Sequence, residues 1–507
     1  MSKLYFSGIS RSNIIRFISI PLIPLVLTAC AVDEEDTSPL RVRSVATALG
    51  LTGDPTTDRN LPSINDARAQ LGKKLFFTKG LGGNKDTACA SCHHPSLGGS
   101  DKLSLSIGVN AETAELLGPG RTHSEALAIA DSNSLYDGGP TVPRNSPTTF
   151  NVGLWDQVLF HDGRIESIGK TPNLNGNDGL GIVTPDSDTD DNGVVLADPN
   201  AGDNLPTAQS RFPVTSPEQM RGHTFEAGST NEAVRDALVA QLQTLGGWES
   251  EFLNVYGDST ISYARIAEAI GEYQRSQVFV NTPWKAFMEG DDDAISEAAR
   301  RGALLFMLPT RVDGANCLSC HRGDFFTDER FHVLGMPQIG RGKGDGSTGT
   351  DDFGRFRVSD NDADMYAFRT PSLLNVTETG PWGHAGAYKD LDAVVRHHLD
   401  PQAAFDTYDR NYHLETSIIT SGQTDDMLFN TQNALDKLAA NRLAGIPSIQ
   451  NVSLTDAQVS DLVEFLHTLT DLCVKNPACL AQWIPDNNLT GPDGEQLNAV
   501  DINGSLL

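Results

Sequence analysis

Two short segments of the sequence share one pattern of cysteine and histidine. They are Cys89-Ala90-Ser91-Cys92-His93 and Cys317-Leu318-Ser319-Cys320-His321. In a C-x-x-C-H motif, two thiols add to the vinyl groups of one haem, and the histidine binds the iron from the proximal side. A redox-active C-x-x-C pair followed by a chance histidine could explain one match. Two matches predict two covalently attached haems, with His93 and His321 as proximal ligands.

The segments around the two motifs are also repeated. Residues 67–76 and 297–306 precede the motifs, have helical propensity and contain Gly-x-x-x-Phe, in which the glycine lets another helix approach closely. An amphipathic helix is predicted to close each half, over 262–278 and 455–469. The sequence therefore predicts a mainly α protein with two cytochrome c-like domains, each binding one covalent haem, and long irregular loops.

The chain has 507 residues, too many for one hydrophobic core. The predicted divisions are a signal peptide over 1–30, a flexible tether over 31–60, an N-terminal haem domain over 61–280, a C-terminal haem domain over 281–482 and a C-terminal tail over 483–507. The formal net charge of −28 argues against nucleic acid as a partner, because an acidic surface repels phosphate.

Residues 1–30 have the pattern of an export signal. Three basic residues flank or precede a short apolar run over 17–27, and Leu-Thr-Ala-Cys at 27–30 resembles a bacterial lipobox. The prediction is a periplasmic protein anchored to the membrane through a lipid on Cys30; an ordinary cleaved signal is the alternative. Cys473 and Cys479 remain, and in an oxidising compartment a local disulfide is expected, with free buried thiols as the alternative.

Two polar segments are predicted to be loops. Residues 172–206 are acidic and rich in glycine and asparagine, but they lack the glycine and glutamate spacing of an EF-hand. Residues 340–354 are glycine-rich and are predicted to form a mobile loop beside the second haem.

Five further segments extend the pattern beyond the haem motifs. They are Arg144-Asn145-Ser146-Pro147-Thr148, Phe160-His161-Asp162-Gly163-Arg164, residues 212–220, residues 368–373 and residues 379–384. Together with the haem motifs they resemble the bacterial di-haem cytochrome c peroxidase and MauG superfamily, over residues 61–479. The resemblance implies that peroxide reacts at the N-terminal haem, and that the C-terminal haem receives electrons or shares oxidising equivalents. It also implies one calcium ion between the haems, held in part by Asn145, Thr379 and Pro381.

The sequence departs from the family pattern at both distal iron positions. Many family peroxidases carry a blocking histidine sixteen residues after the first proximal histidine, where this chain has Val109. The first haem is therefore expected to be five-coordinate; His123 in the same loop is an alternative ligand. At the second haem the family's methionine or tyrosine aligns with His398, which predicts bis-histidine ligation and a lower reduction potential. Met336 and Met365 are the alternative ligands, and one of His397 and His398 is expected to face solvent.

Two other departures concern electron and proton transfer. The family's inter-haem tryptophan aligns with His161, although Trp155 and Trp382 are near in sequence and could equally be core residues. The family's catalytic glutamate aligns with Gln219, which cannot relay a proton. Glu218 is predicted to take that role while Gln219 orients peroxide; alternatively Glu218 only caps the helix that begins near residue 216.

The favoured function is reduction of hydrogen peroxide to water, with electrons from a small cytochrome c or cupredoxin. A MauG-like enzyme that uses peroxide to oxidise side chains of a partner protein is the main alternative. A non-enzymatic di-haem electron carrier is a third possibility, and it requires two six-coordinate irons.

Overall fold

The computed structural model describes residues 36–130, 139–225, 229–487 and 489–507. These parts of the chain are mainly helical with little sheet. None of their helices is both long enough and apolar enough to cross a membrane. The predicted export signal and Cys30 lie outside the described residues.

Seven α-helices lie in the described part of the first half of the sequence. They are α1 (Pro39–Ala48), α2 (Ala67–Phe77), α3 (Glu125–Ala130), α4 (Leu205–Gln209), α5 (Asn231–Leu245), α6 (Trp248–Tyr256) and α7 (Tyr263–Arg275). The helices of the second half are α8 (Pro283–Met288), α9 (Glu297–Met307), α10 (Phe356–Ser359), α11 (Leu391–Leu399), α12 (Pro401–Asp406), α13 (Arg410–His413), α14 (Thr416–Thr420), α15 (Met427–Leu443), α16 (Asp456–His467) and α17 (Pro477–Leu480).

Two small antiparallel sheets complete the described elements. The first consists of β1 (Val158–Leu159), β2 (Ile165–Ser167) and β3 (Ile182–Val183), and the second of β4 (Phe331–Val333) and β5 (Ala367–Arg369). In the second sheet His332 is paired with Phe368, which joins the segment after the second haem motif to one of the family-like segments.

Each half is built on one closely packed helix pair, α2 with α7 and α9 with α16. A Cβ atom on Gly72 would lie 1.8 Å from the carbonyl oxygen of Ala269, and one on Gly302 would lie 1.9 Å from that of Asp461. Only glycine allows this approach, so the predicted packing role of the two glycines is confirmed. Both closing helices also begin at a capping hydroxyl, that of Ser262 in α7 and that of Thr455 in α16.

The residues of the two hydrophobic cores are not separated by a single boundary in the sequence. The first core contains α2, α5, α6 and α7. The second contains α8, α9 and α16, and also takes Ile165, Leu205 and Phe212 from the first half. The segment between the first motif and α5 therefore packs across both haem regions and joins them.

The described part of the predicted tether differs from the expectation of a flexible segment. Val42 and Ala46 of α1 are fully buried against the second core. The guanidinium of Arg300 in α9 also donates to the carbonyl oxygen of Thr37 at 2.8 Å. Burial of apolar side chains in a ten-residue helix explains why this segment is held on the body.

Residues after α17 return to the first half. Leu497 and Ala499 are buried in the first core, and the backbone N–H of Leu497 donates to the carbonyl oxygen of Phe77 at 2.8 Å. The segment predicted as a C-terminal tail thus forms part of the core around the first motif.

The predicted disulfide between Cys473 and Cys479 is present.

Candidate haem centre

The first motif forms a short 3-10 turn over Cys89–Ser91. The ring of His93 is oriented by its Nδ1–H, which donates to the carbonyl oxygen of Gly99 at 3.3 Å. Burial lowers the pKa of His93 to about 4, so the imidazole is neutral and Nε2 has a lone pair to offer. A backbone acceptor that fixes ring orientation in this way is the usual support of a metal-binding histidine.

The second motif repeats this arrangement over Cys317–Ser319. Nδ1–H of His321 donates to the carbonyl oxygen of Phe326 at 3.1 Å, and burial lowers the pKa of His321 to about 4. Phe306, from the Gly-x-x-x-Phe segment of α9, lies with its ring centre 6.5 Å from that of His321.

Both motifs open into one continuous cavity of about 740 Å³. Its wall includes every residue predicted to attach or ligate haem: Cys89, Cys92, His93, Cys317, Cys320, His321 and His398. Apolar side chains from both core helix pairs complete the wall, including Phe76, Ile270, Phe306, Leu462 and Leu466. Paired thiols, an oriented neutral imidazole and an apolar wall at each end fit the chemistry of covalent haem.

His398 faces the second proximal histidine across the cavity. The ring centres of His321 and His398 are 6.3 Å apart. Metal–imidazole bonds are about 2 Å long and each ring adds roughly 1 Å to its centre, so one iron fits between the two rings. Nδ1–H of His398 donates to the carbonyl oxygen of Val394 at 2.8 Å, which leaves Nε2 for the metal. Met336 also lines the cavity, whereas Met365 does not.

His397 cannot serve as the alternative ligand, because both of its ring nitrogens have partners. They contact the hydroxyl of Tyr388 at 2.9 Å and the carbonyl oxygen of Leu334 at 3.0 Å. The side chain is fully buried. The expectation that one histidine of this pair faces solvent is therefore wrong, because His397 is buried and His398 faces the cavity.

In the described part of the loop after the first motif, no histidine lines the cavity. Val109 is fully buried and lies outside the cavity wall. His123 is also outside the wall, and its backbone is paired with that of Ala111. Both positions agree with an iron that lacks a histidine on its distal side, which stays a prediction.

The two candidate proton-transfer residues are placed differently. Pro217–Arg221 forms a single π-helical turn, and Gln219 of this turn lines the cavity, whereas Glu218 does not. The wall also contains Lys343, which interacts electrostatically with Glu218. Burial and the nearby guanidinium of Arg144 lower the pKa of Lys343 to about 8. Glu218 therefore acts on the cavity wall only through its electrostatic attraction to Lys343, which the sequence did not indicate.

The glycine-rich loop that carries Lys343 is anchored, in contrast to the mobile loop predicted. Arg144 donates to Asp352 of this loop through Nε at 2.6 Å and to Asp162 at 2.6 Å. All three side chains are buried, and such a charge is tolerated inside a protein only when it is paired. The sequence contained Arg144 and Asp162 in family-like segments, but no local pattern indicated Asp352 as their partner.

The region between the two motifs is polar and aromatic. Nε2–H of His161 donates to the carbonyl oxygen of Asn145 at 3.0 Å. The guanidinium of Arg369 lies 3.4 Å from the ring centre of Trp155, and the indole of Trp382 donates to the carbonyl oxygen of Val376 at 3.0 Å. His161, Trp155 and Trp382 all line the cavity. The structure therefore places two oxidisable indoles at the wall, although His161 occupies the family's tryptophan position.

The three residues predicted to hold calcium also line the cavity. They are Asn145, Thr379 and Pro381. The amide nitrogen of Asn145 donates to the carbonyl oxygens of Leu103 at 2.8 Å and Ser104 at 3.2 Å. The three residues offer only neutral oxygens.

Comparison with known proteins supports the assignment of a class. A sequence model of the di-haem cytochrome c peroxidase family matches residues 66–293. The chain is 28% identical to the methylamine utilization protein MauG of Methylophilus methylotrophus over 332 residues, 65% of this chain and 72% of that protein. It is 24% identical to cytochrome c551 peroxidase of Pseudomonas aeruginosa, over 66% of this chain and 72% of that protein.

The fold is similar to that in the crystal structure of a MauG-like protein associated with microbial copper homeostasis. The TM-score is 0.53 with 19% sequence identity, and the match covers 84% of this chain and 97% of the other. The family match and the relatives indicate the class of di-haem peroxidases, which are oxidoreductases. The chain belongs to the di-haem cytochrome c peroxidase and MauG family.

Proposed function

We propose that the protein reduces hydrogen peroxide to water at the first haem, using electrons that a small cytochrome c or cupredoxin delivers to the second. Haem iron, when bound, would supply the redox chemistry, and an iron held by only one protein ligand would be the one open to peroxide. The observation that carries the proposal is the difference between the two ends of the cavity. His321 faces His398 at one end, whereas at the other end Val109, at the sequence position of the family's blocking histidine, is buried outside the cavity wall.

The residues near the first motif are proposed to move protons. Reduction of one peroxide molecule to two water molecules consumes two electrons and two protons. Gln219 at the cavity wall can donate a hydrogen bond to peroxide, and Glu218 can exchange a proton through Lys343. This assignment retains Glu218 as the carboxylate of the site, but through the lysine rather than by direct contact with the cavity.

A resting-state spectrum followed by peroxide addition tests the main proposal. The ferric holoprotein is expected to show one high-spin haem and one low-spin haem. Peroxide is expected to be consumed in multiple turnovers when a reduced small cytochrome c is supplied, with two molecules of donor oxidised per peroxide. Two low-spin haems that do not respond to peroxide would instead support the electron carrier.

Glu218→Gln tests the proton-transfer role. We expect a loss of roughly 10²–10⁴-fold in kcat, because general acid–base catalysis contributes about that factor. The matched control is Glu232→Gln in the first turn of α5, an exposed glutamate expected to leave kcat unchanged. An unchanged kcat in Glu218→Gln, with the haem spectra intact, would assign Glu218 a capping role only.

A MauG-like activity is the second candidate. It is favoured by one observation, the absence of both the blocking histidine and the peroxidase methionine from their family positions. The same peroxide experiment without donor separates the two candidates. A long-lived oxidised state that decays only when a protein substrate is added would favour the MauG-like activity.

We propose that the protein is held at the periplasmic side of a membrane by a lipid on Cys30. The pattern at 27–30 supports this, together with the disulfide between Cys473 and Cys479, a bond that persists in oxidising compartments such as the periplasm. Cys30→Ser is expected to move the protein from the membrane fraction to the soluble periplasmic fraction without changing its haem content. Retention in the membrane fraction would contradict the lipid anchor.

A further inference from the structure

The proposed calcium position has a lysine beside it. Lys102 follows the first motif in the chain, and its ammonium donates to the carbonyl oxygen of Glu378, the residue before Thr379. Glu378 and Thr379 lie in the second half, so this bond joins the two halves. A divalent ion bound at Thr379 would therefore lie close to an ammonium of the same sign, which raises its energy.

The loop that carries Lys102 is fitted closely to this carbonyl group. A Cβ atom on Gly98 would lie 2.1 Å from the carbonyl oxygen of Glu378, and Gly98 has a φ of 80°. Lys102 itself has a φ of 61°, which is uncommon for a residue with a side chain. The backbone conformation thus directs the lysine towards the segment expected to hold the ion.

Asn145, the other expected ligand, is tied to the same loop. Its amide nitrogen donates to Leu103 and Ser104, the two residues directly after Lys102. The segment 102–104 therefore contacts Asn145 through its backbone and the residue before Thr379 through the Lys102 side chain, so it connects the residues expected to hold the cation.

An ammonium can perform the structural role of a hard cation here. It offers three donors to carbonyl oxygens, which are also the ligands that calcium prefers. Among the described residues, the carboxylate of Glu378 is the one charged side chain that acts on the pKa of Lys102. The same carboxylate pairs with Lys475 at 3.2 Å. Burial lowers the pKa of Lys102, and Glu378 opposes that effect.

We propose that the Lys102 ammonium replaces the calcium ion in this chain, so that the protein needs no divalent cation between its haem sites. The three aligned residues do not then form a calcium site, in contrast to the expectation from the family. The proposal goes beyond the proposed function, because metal content can be measured whether or not peroxide is turned over.

The first test is the metal content of the wild-type holoprotein. After equilibration with 1 mM calcium chloride and desalting, elemental analysis is expected to give less than about 0.1 calcium per two irons. EGTA is expected to leave the absorption and EPR spectra of both haems and the thermal unfolding midpoint unchanged. One calcium per chain, or a spectral change with EGTA, would overturn the proposal.

The second test is Lys102→Met, which removes the charge and keeps an unbranched side chain. We expect a lower thermal midpoint, and an increase of that midpoint on addition of calcium that the wild type does not show. The matched control is Lys73→Met, since Lys73 also donates to a carbonyl oxygen, that of Gln482, but at the surface. Lys102→Arg keeps the charge and is expected to behave as the wild type.

A Lys102→Met holoprotein with the thermal midpoint and calcium response of the wild type would show that the lysine has no cation role. If that variant does not fold, the wild-type calcium content and the Lys102→Arg variant still decide the question.

Discussion

At the scale of single residues, hydrogen bonding explains why one histidine of α11 is available to a metal and its neighbour is not. His398 uses only Nδ1, within its own helix, whereas both nitrogens of His397 are bonded to other parts of the second half. The hydrogen-bond partners of the two side chains therefore indicate which histidine can bind a metal. The sequence does not distinguish the two histidines, because it does not show those partners.

His398→Met is expected to raise the reduction potential of the second haem on the order of 0.1 V, within the roughly 0.8 V that axial ligands span. The reason is that thioether ligation favours ferrous haem more than imidazole does. Potentiometric titration of the variant gives the shift, and loss of the bis-histidine EPR signal gives the ligand change.

The neighbouring His397→Gln variant is the control for that experiment. We expect it to reduce the free energy of unfolding by about 1–3 kcal/mol through lost buried hydrogen bonds, with the potential of the second haem unchanged. A bis-histidine signal that disappears in His397→Gln and persists in His398→Met would reverse the ligand assignment.

At the scale of elements, two helix pairs in backbone contact place the motifs. Gly72 and Gly302 allow α2 and α9 to touch the backbones of α7 and α16, and each motif begins within about a dozen residues of its glycine-bearing helix. The repeated geometry explains why His93 and His321 have the same hydrogen-bond arrangement.

Gly302→Ala is expected to reduce the free energy of unfolding of the second half by about 1–3 kcal/mol, because the added methyl group forces α9 and α16 apart. Chemical denaturation followed at the second haem measures the change. Glu297→Ala on the exposed side of α9 is the control. Equal effects of the two substitutions would rule out close helix packing as the cause.

The helix pairs, their caps and the glycine contacts could be predicted from sequence because local periodicity and spacing determine them. Lys102, Lys343 and Asp352 could not, since their partners are far away in the chain and lie in segments without periodicity. α1 is not predicted for a related reason: its composition resembles a linker, and only packing on the second core makes burial of Val42 and Ala46 favourable.

At the scale of the whole molecule, the two haem regions are joined by segments that leave one half and pack on the other. Residues 152–212 contribute to the second core, and Leu497 and Ala499 contribute to the first. Because each half contributes segments to the core of the other, the two motifs lie close enough to line a single cavity.

Leu497→Ala is expected to destabilise the first half by about 2–5 kcal/mol, as is typical of a buried leucine replaced by alanine. Hydrogen exchange should become faster in α2 and remain unchanged in α9. Leu506→Ala, at a leucine that is 62% exposed, is the control and should change neither. Equal acceleration in α2 and α9 would show that the two halves unfold together.

The position of Leu497 has a consequence for biogenesis. Leu497 and Ala499, which complete the hydrophobic core around Cys89, are synthesised after the whole second half, although domains generally fold in the order in which they leave the ribosome. The first C-x-x-C-H motif is therefore expected to be enclosed only after the C-terminal residues have been synthesised, so that covalent attachment of haem at Cys89 and Cys92 would precede closure of the first core.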